Sequence, residues 1–197
     1  MKSIELISLQ KRFGDTLALR RADLSARAGE VIAICGENGA GKSTLMSLLA
    51  GARQPTNGEI RIDGQPVTID TPHTAFDLGI RTVYQELSLL PDVSVAENLY
   101  LGELPYTRFM TIDWSRLRRD ATEHLQELGL HDIDVRKRTG AYPVAIQQMI
   151  EIARAIQFKP QLLILDEPTG VLTQAETDLL FAQINRLRAQ GTIIFYI

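Results

Sequence analysis

Eight consecutive residues, Gly36-Glu37-Asn38-Gly39-Ala40-Gly41-Lys42-Ser43, set glycines, a lysine and a hydroxyl in the pattern G-x-x-x-x-G-K-[ST]. The glycines let the backbone curl so that its N–H groups point inward at phosphate oxygens. Lys42 is placed to reach β- and γ-phosphates, Ser43 to offer its hydroxyl to Mg²⁺, and Thr44 to contact the α-phosphate side. A glycine-rich turn without a ligand fits the same letters. The flanks argue against that reading, because an apolar run, Val31 to Cys35, precedes the loop and Lys42 to Leu49 opens a helix after it.

A second cluster lies far downstream. Leu162-Leu163-Ile164-Leu165 reads as a buried strand, and it ends in Asp166-Glu167. An acidic residue there can hold the shell of a Mg²⁺ ion, which gives Asp166 its expected role. Glu167 is placed to orient, or take a proton from, an attacking water. Asp-Glu alone also fits a helix cap or a solvated turn. The phosphate-binding pattern upstream favours the functional reading.

The elements that position these residues follow from patterning. Ile4 to Leu9 and Leu17 to Leu19 read as early strands, and Val31 to Cys35 as a strand buried on both faces, with Cys35 a small core residue. Gly51 can close the helix after the loop. Glu59 to Ile62, Asp63-Gly64 and Val67 to Ile69 predict a hairpin. Ser94-Val95-Ala96-Glu97 is a capping box. Helices are expected over 115–128, ended by Gly129, over 147–158, and from the Thr173–Glu176 cap to about Gln190. Thr192 to Ile197 reads as one more apolar strand. Buried strands alternating with helices predict an α/β fold with a mostly parallel sheet flanked by helices, plus an N-terminal antiparallel β part. A last element that is an apolar strand wants a further partner, so a shortened C-terminal end of the fold is expected.

Composition narrows the function classes. The chain has 197 residues, 21 basic and 24 acidic, a net charge of −3, and 45% apolar residues. That is ordinary globular usage, which excludes intrinsic disorder, collagen and coiled coil as the main architecture. No apolar run approaches the roughly 20 residues that span a bilayer. One cysteine excludes an internal disulfide and fits a reducing compartment. The mild acidity argues against wholesale nucleic-acid binding. His73, His124 and His131 lack metal-ligand spacing, so solvated or capping roles are expected for them. Arg116, Arg118 and Arg119 read as a solvated face, with contact to a partner chain as the alternative.

With these residues in hand, the sequence resembles an ATP-binding-cassette (ABC) ATPase domain, a P-loop NTPase. The loop at 36–43 and Leu165-Asp166-Glu167-Pro168-Thr169 carry the likeness most specifically. Val83-Tyr84-Gln85-Glu86-Leu87 resembles the family's Q-loop, which implies that Gln85 contacts metal and water. Gly170-Val171-Leu172-Thr173 resembles the D-loop at a dimer interface, and Phe13 sits where the family stacks an aromatic on adenine. The stretches 84–91, 94–99 and 147–155 are similar to ATPases of bacterial monosaccharide importers, in particular to the first of their two fused ATPase domains.

The resemblance implies ATP and Mg²⁺ as cofactors. It implies permease subunits and a second ATPase domain, in a sandwich dimer, as partners, with a periplasmic sugar-binding protein involved indirectly. It implies a cytoplasmic place on the inner face of the membrane, and no nucleic acid. It further implies a single nucleotide-binding domain over 1–197, incomplete at its C-terminus, with an approximate helical subregion at 92–145. ABC proteins of DNA repair or translation usually carry inserted arms or coiled coils, and no such insertion is legible here.

Two departures stand out. Where the family signature Leu-Ser-x-Gly/Ala-Gln aligns, this chain has Tyr142-Pro143-Val144-Ala145-Ile146. Proline supplies neither the hydroxyl nor the N–H with which that helix start clasps the γ-phosphate held by the other domain. The family's Ser-His after the last strand is not in the sequence, which ends at Ile197. Both departures make a non-hydrolysing nucleotide-binding remnant the alternative expectation to an active ATPase.

Overall fold

The computed structural model describes residues 1–197 except Asn38. Two compact units result, one of residues 1–83, 159–167 and 184–197, the other of 84–158 and 168–183.

The first unit opens with a long hairpin, β1 (Ser3–Phe13) and β2 (Thr16–Arg27). The buried positions of β1, Ile4 and Leu6 and then Leu9, break strict alternation. A bulge causes this. Register shifts between Leu6 and Leu9, Ser8 takes φ 49°, and Asp23 accepts the Ser8 N–H at 2.8 Å. Next come β3 (Val31–Ala33) and α1 (Lys42–Leu49). The predicted hairpin forms as β4 (Asn57–Ile62) and β5 (Gln65–Val67), where Asp63 at φ 51° and Gly64 at φ 78° make the tight turn. These strands form an antiparallel sheet of order β2-β1-β4-β5.

The second sheet adds β6 (Ile80–Val83), which follows the short helix α2 (Pro72–Asp77). The other unit supplies α3 (Val95–Leu99), α4 (Trp114–Glu127) and α5 (Val144–Gln157). The chain then returns through β7 (Leu162–Leu165), α6 (Gln174–Ala189) and β8 (Ile193–Tyr196). The sheet is all parallel, in the order β3-β8-β7-β6. The α/β fold with one parallel and one antiparallel sheet is thus the one expected. Ile4, Leu6, Leu9, Leu48, Leu49, Leu162, Ile164 and Phe195 join both sheets and α1 in one core.

One strand departs from expectation. The Val31–Cys35 run is not buried on both faces: β3 spans three residues, Val31 is 39% exposed, and Ala33 and Cys35 are exposed. The reason is topological. Among the described residues β3 pairs only with β8 and so is an edge strand, whereas β7, paired on both sides, is buried throughout. Cys35 is therefore not a core residue. The strand β6 and helix α2 have no strong sequence signal, because Ile80-Arg81-Thr82-Val83 is short and half polar.

In the helical unit, Ser94 and Glu97 form the complete capping box of α3. Asp113 caps α4 by accepting the Arg116 N–H at 3.0 Å. Leu117, Ala121 and Leu125 form the buried stripe of α4, and Gly129 at φ 80° ends it. Asn98, fully buried, donates to Leu90 O at 2.8 Å and Thr139 Oγ1 at 2.9 Å and accepts from Leu90 N–H at 2.8 Å, tying three segments together. His124 is neither solvated nor a cap: its Nε2 lies 2.8 Å from the Ala153 carbonyl oxygen of α5. Arg116 and Arg119 share Asp120 on an exposed face of α4. Among the described residues no helix is long and apolar enough to cross a membrane.

Candidate functional site

The first unit brings the two sequence clusters together. β3 and β7 are parallel and separated by one strand, β8, so both point their carboxyl ends to the same edge of the sheet, about 10 Å apart. The loop at 36–43 leaves one end and Asp166-Glu167 the other. The carboxyl edge of such a sheet is where α/β folds bind ligands.

Within the loop, Gly39 takes φ 87° and Gly41 takes φ 95°. Gly41 is also the N-cap of α1, and a Cβ there would lie 2.8 Å from the Ala18 carbonyl oxygen. Only glycine fits both constraints. The first intrahelical bond runs from Leu45 N–H to Gly41 O at 2.9 Å, so the amides of Lys42, Ser43 and Thr44 point out of the helix end toward the loop. Lys42 Nζ donates to Gly36 O at 2.6 Å and Glu37 O at 3.2 Å, which draws the ammonium into the curl. Ser43 is exposed and Thr44 half-buried at the helix start. Gly36, Glu37 and Ala40 lie on the loop surface, while Asn38, expected in the cradle, falls outside the described residues.

Asp166 continues β7, its N–H donating to Val83 O at 3.0 Å. The backbone then turns sharply: Glu167 takes φ 46°, a strained conformation for a residue with a Cβ, and its N–H donates to Ile197 O at 3.2 Å. The carboxyl of Asp166 is held above the usual carboxylate range, first by burial and then by the Glu167 charge, while Lys42 pulls the other way. Lys42 therefore feels Asp166 electrostatically. The Ser43 hydroxyl and the Asp166 carboxylate are hard oxygen donors, the set that suits Mg²⁺, whose remaining positions phosphate and water commonly fill. Glu167 and Asp166 together offer the charge chemistry needed to order a water.

A carboxyl with a raised pKa has a definite sign for stability. The folded chain holds the Asp166 proton more tightly than the unfolded chain, so the residue costs nothing below the unfolded pKa, costs increasingly as pH rises from there, and costs its full amount above the native pKa. Asp166→Asn should accordingly raise the urea midpoint at neutral pH and leave it unchanged in strong acid. The same variant should lose the Mg²⁺-dependent gain in nucleotide affinity. In the unmodified chain that gain should fade on acidification at higher pH than an unshifted carboxylate would allow.

The remaining expected residues are placed as follows. Phe13 is 43% exposed at the turn of the first hairpin, with Lys11 Nζ 5.2 Å and Arg53 Cζ 5.8 Å from its ring centroid. It is thus a surface aromatic flanked by cations, not a core residue. Gln85 belongs to the helical unit. Pro143 is the N-cap of α5, and among the described residues no side chain caps that helix start. Gln147 N–H reaches Pro143 O at 3.0 Å, so the helix begins normally without the signature serine. Arg154 and Glu151, to which the sequence assigned no individual role, form an ion pair on α5 in which the glutamate is buried. The glutamate on an otherwise apolar helix was the available signal.

The fold and this site define an α/β domain of the phosphate-loop type. Residues 19–170 match the ABC transporter family, and the chain belongs to that family. It is 48% identical over 187 residues to a ribose import ATP-binding protein of Rhizobium etli, covering 95% of this chain and 36% of that one. It is also 48% identical to a putative ribose/galactose/methyl galactoside import ATP-binding protein of Burkholderia ambifaria, covering 98% and 38%. The chain thus spans less than two fifths of the length of these relatives. Among solved structures, the ADP conformation of an ATP-binding cassette of an ABC transporter superposes with TM-score 0.82 at 25% identity, covering 100% of this chain and 81% of that one.

Proposed function

We propose that this chain binds MgATP in the cradle formed by residues 36–44 and Asp166, and that it serves as an ATP-binding part of a monosaccharide importer. The observation that carries the reading is the convergence of Lys42, Ser43, Asp166 and Glu167 on one edge of the parallel sheet. In this reading the loop amides and Lys42 bind the phosphates, Ser43 and Asp166 hold the cation, and Glu167 orients water, while the resemblance gives Gln85 its contact to metal and water. Phe13 stacks on adenine. The chain acts as one nucleotide-binding domain in which 92–145 is the helical subregion. The names of the relatives support import of a sugar of the ribose or galactose kind. The partners would be permease subunits and a second ATPase domain, with a periplasmic sugar-binding protein acting indirectly, at the inner face of the membrane.

The uncapped start of α5 at Pro143 favours a second reading, in which ATP is bound and not turned over. Steady-state phosphate release from MgATP separates the two. An active site should show release that falls about a hundredfold or more in Glu167→Gln, as loss of a catalytic base or orienting group does, with ATP binding retained. Binding without release selects the second reading. Release that ignores Glu167→Gln removes Glu167 from the mechanism.

A further inference from the structure

The segment carrying Gln85 is tied to α5 through a buried carboxylate. Glu151 is 1% exposed, and both its carboxylate oxygens have donors. Oε1 accepts from Ser88 Oγ at 2.6 Å and from Arg154 Nη2 at 2.6 Å, and Oε2 accepts from Ser88 N–H at 3.2 Å. Arg154 Nη2 also donates to Ser88 Oγ at 2.5 Å. A buried carboxylate is tolerated only when paired and hydrogen-bonded in this way.

We propose that Ser88, Glu151 and Arg154 form a clasp that positions Gln85, which lies three residues before Ser88, by locking its segment to the body of α5. The inference rests on the reading of Gln85 as a contact to metal and water. Glu151 lies two helical turns beyond Val144, the first residue of α5. A helix transmits displacement along its axis with little loss, at 1.5 Å per residue, so about 12 Å of rigid helix joins Pro143 to Glu151. A shift of the α5 start therefore carries the Ser88 segment, and Gln85 with it. None of the three touches nucleotide in this account; they are positioning residues.

The test is a double-mutant cycle on the full chain with Ser88→Ala and Gln85→Ala, reading ATP affinity with and without Mg²⁺. Ser88→Ala keeps the ion pair and the backbone contact, so the fold should persist. It should reduce the Mg²⁺-dependent gain in affinity about tenfold, leave metal-free affinity unchanged, and cost nothing further once Gln85 is alanine. Ser88→Thr, which keeps the hydroxyl, should restore the gain. Independent, additive effects of the two substitutions would overturn the clasp, as would a Ser88→Ala effect confined to the urea midpoint. A folded chain that binds no ATP at all would overturn the underlying function, and the clasp's role with it.

Discussion

Lys42→Ala should weaken ATP binding by a factor of at least about a hundred without unfolding the chain. A hydrogen bond to a charged group contributes about 1.5–3 kcal/mol, and an ammonium reaching two phosphates loses two of them, which converts to a hundredfold or more. The lysine also bridges the Gly36 and Glu37 carbonyl oxygens, so its removal loosens the curl that aligns the loop amides. The core beneath α1 does not depend on it, since the buried residues of the helix are Leu45, Met46, Leu48 and Leu49, all C-terminal to Lys42. Equilibrium titration with a fluorescent ATP analogue reads the loss, and a far-UV circular dichroism melt verifies the fold. An affinity within threefold of the unmodified chain would sink the assignment of the loop.

Pro143→Ser should raise phosphate release by about tenfold or more, and should do so most at high protein concentration. At φ −55° and ψ 152°, position 143 already has an N-cap backbone, and serine is among the best residues there. The hydroxyl would cap α5 and restore the donor that the ABC resemblance expects at this helix start, opposite the proposed second ATPase domain. One preorganised donor typically matters a hundredfold to a thousandfold in rate, and Ile146, left in place, keeps part of the deficit. The urea midpoint should rise slightly as well. No gain in release, together with the expected gain in stability, would mean that α5 does not meet nucleotide in a paired chain.

Much of this architecture is legible in the sequence because several elements carry self-sufficient local signals. The Asp63-Gly64 turn, the Ser94–Glu97 box and the glycines at 51, 129 and 191 each determine a boundary by local sterics or hydrogen bonding. The phosphate loop is readable for the same reason, since glycine, lysine and serine act within eight residues. What escaped depends on distant partners. The exposure of Val31 and Cys35 follows from strand order, which apolar content does not encode. Ser88 and Glu151 are 63 residues apart, and nothing in either neighbourhood announces the other. His124 looks like a surface histidine until α5 packs beside it. The strain at Glu167 is likewise invisible in Leu-Asp-Glu-Pro, because it arises where β7 ends and the chain must turn beside Ile197.

The central claim, that the loop and Asp166 form a nucleotide cradle, is tested most directly by calorimetric titration of ATP into the folded chain with and without Mg²⁺. Saturable one-to-one binding that Mg²⁺ strengthens is expected, with the strengthening lost in Asp166→Asn. A folded chain that takes up no ATP, or whose ATP affinity is indifferent to both Mg²⁺ and Asp166, would contradict it.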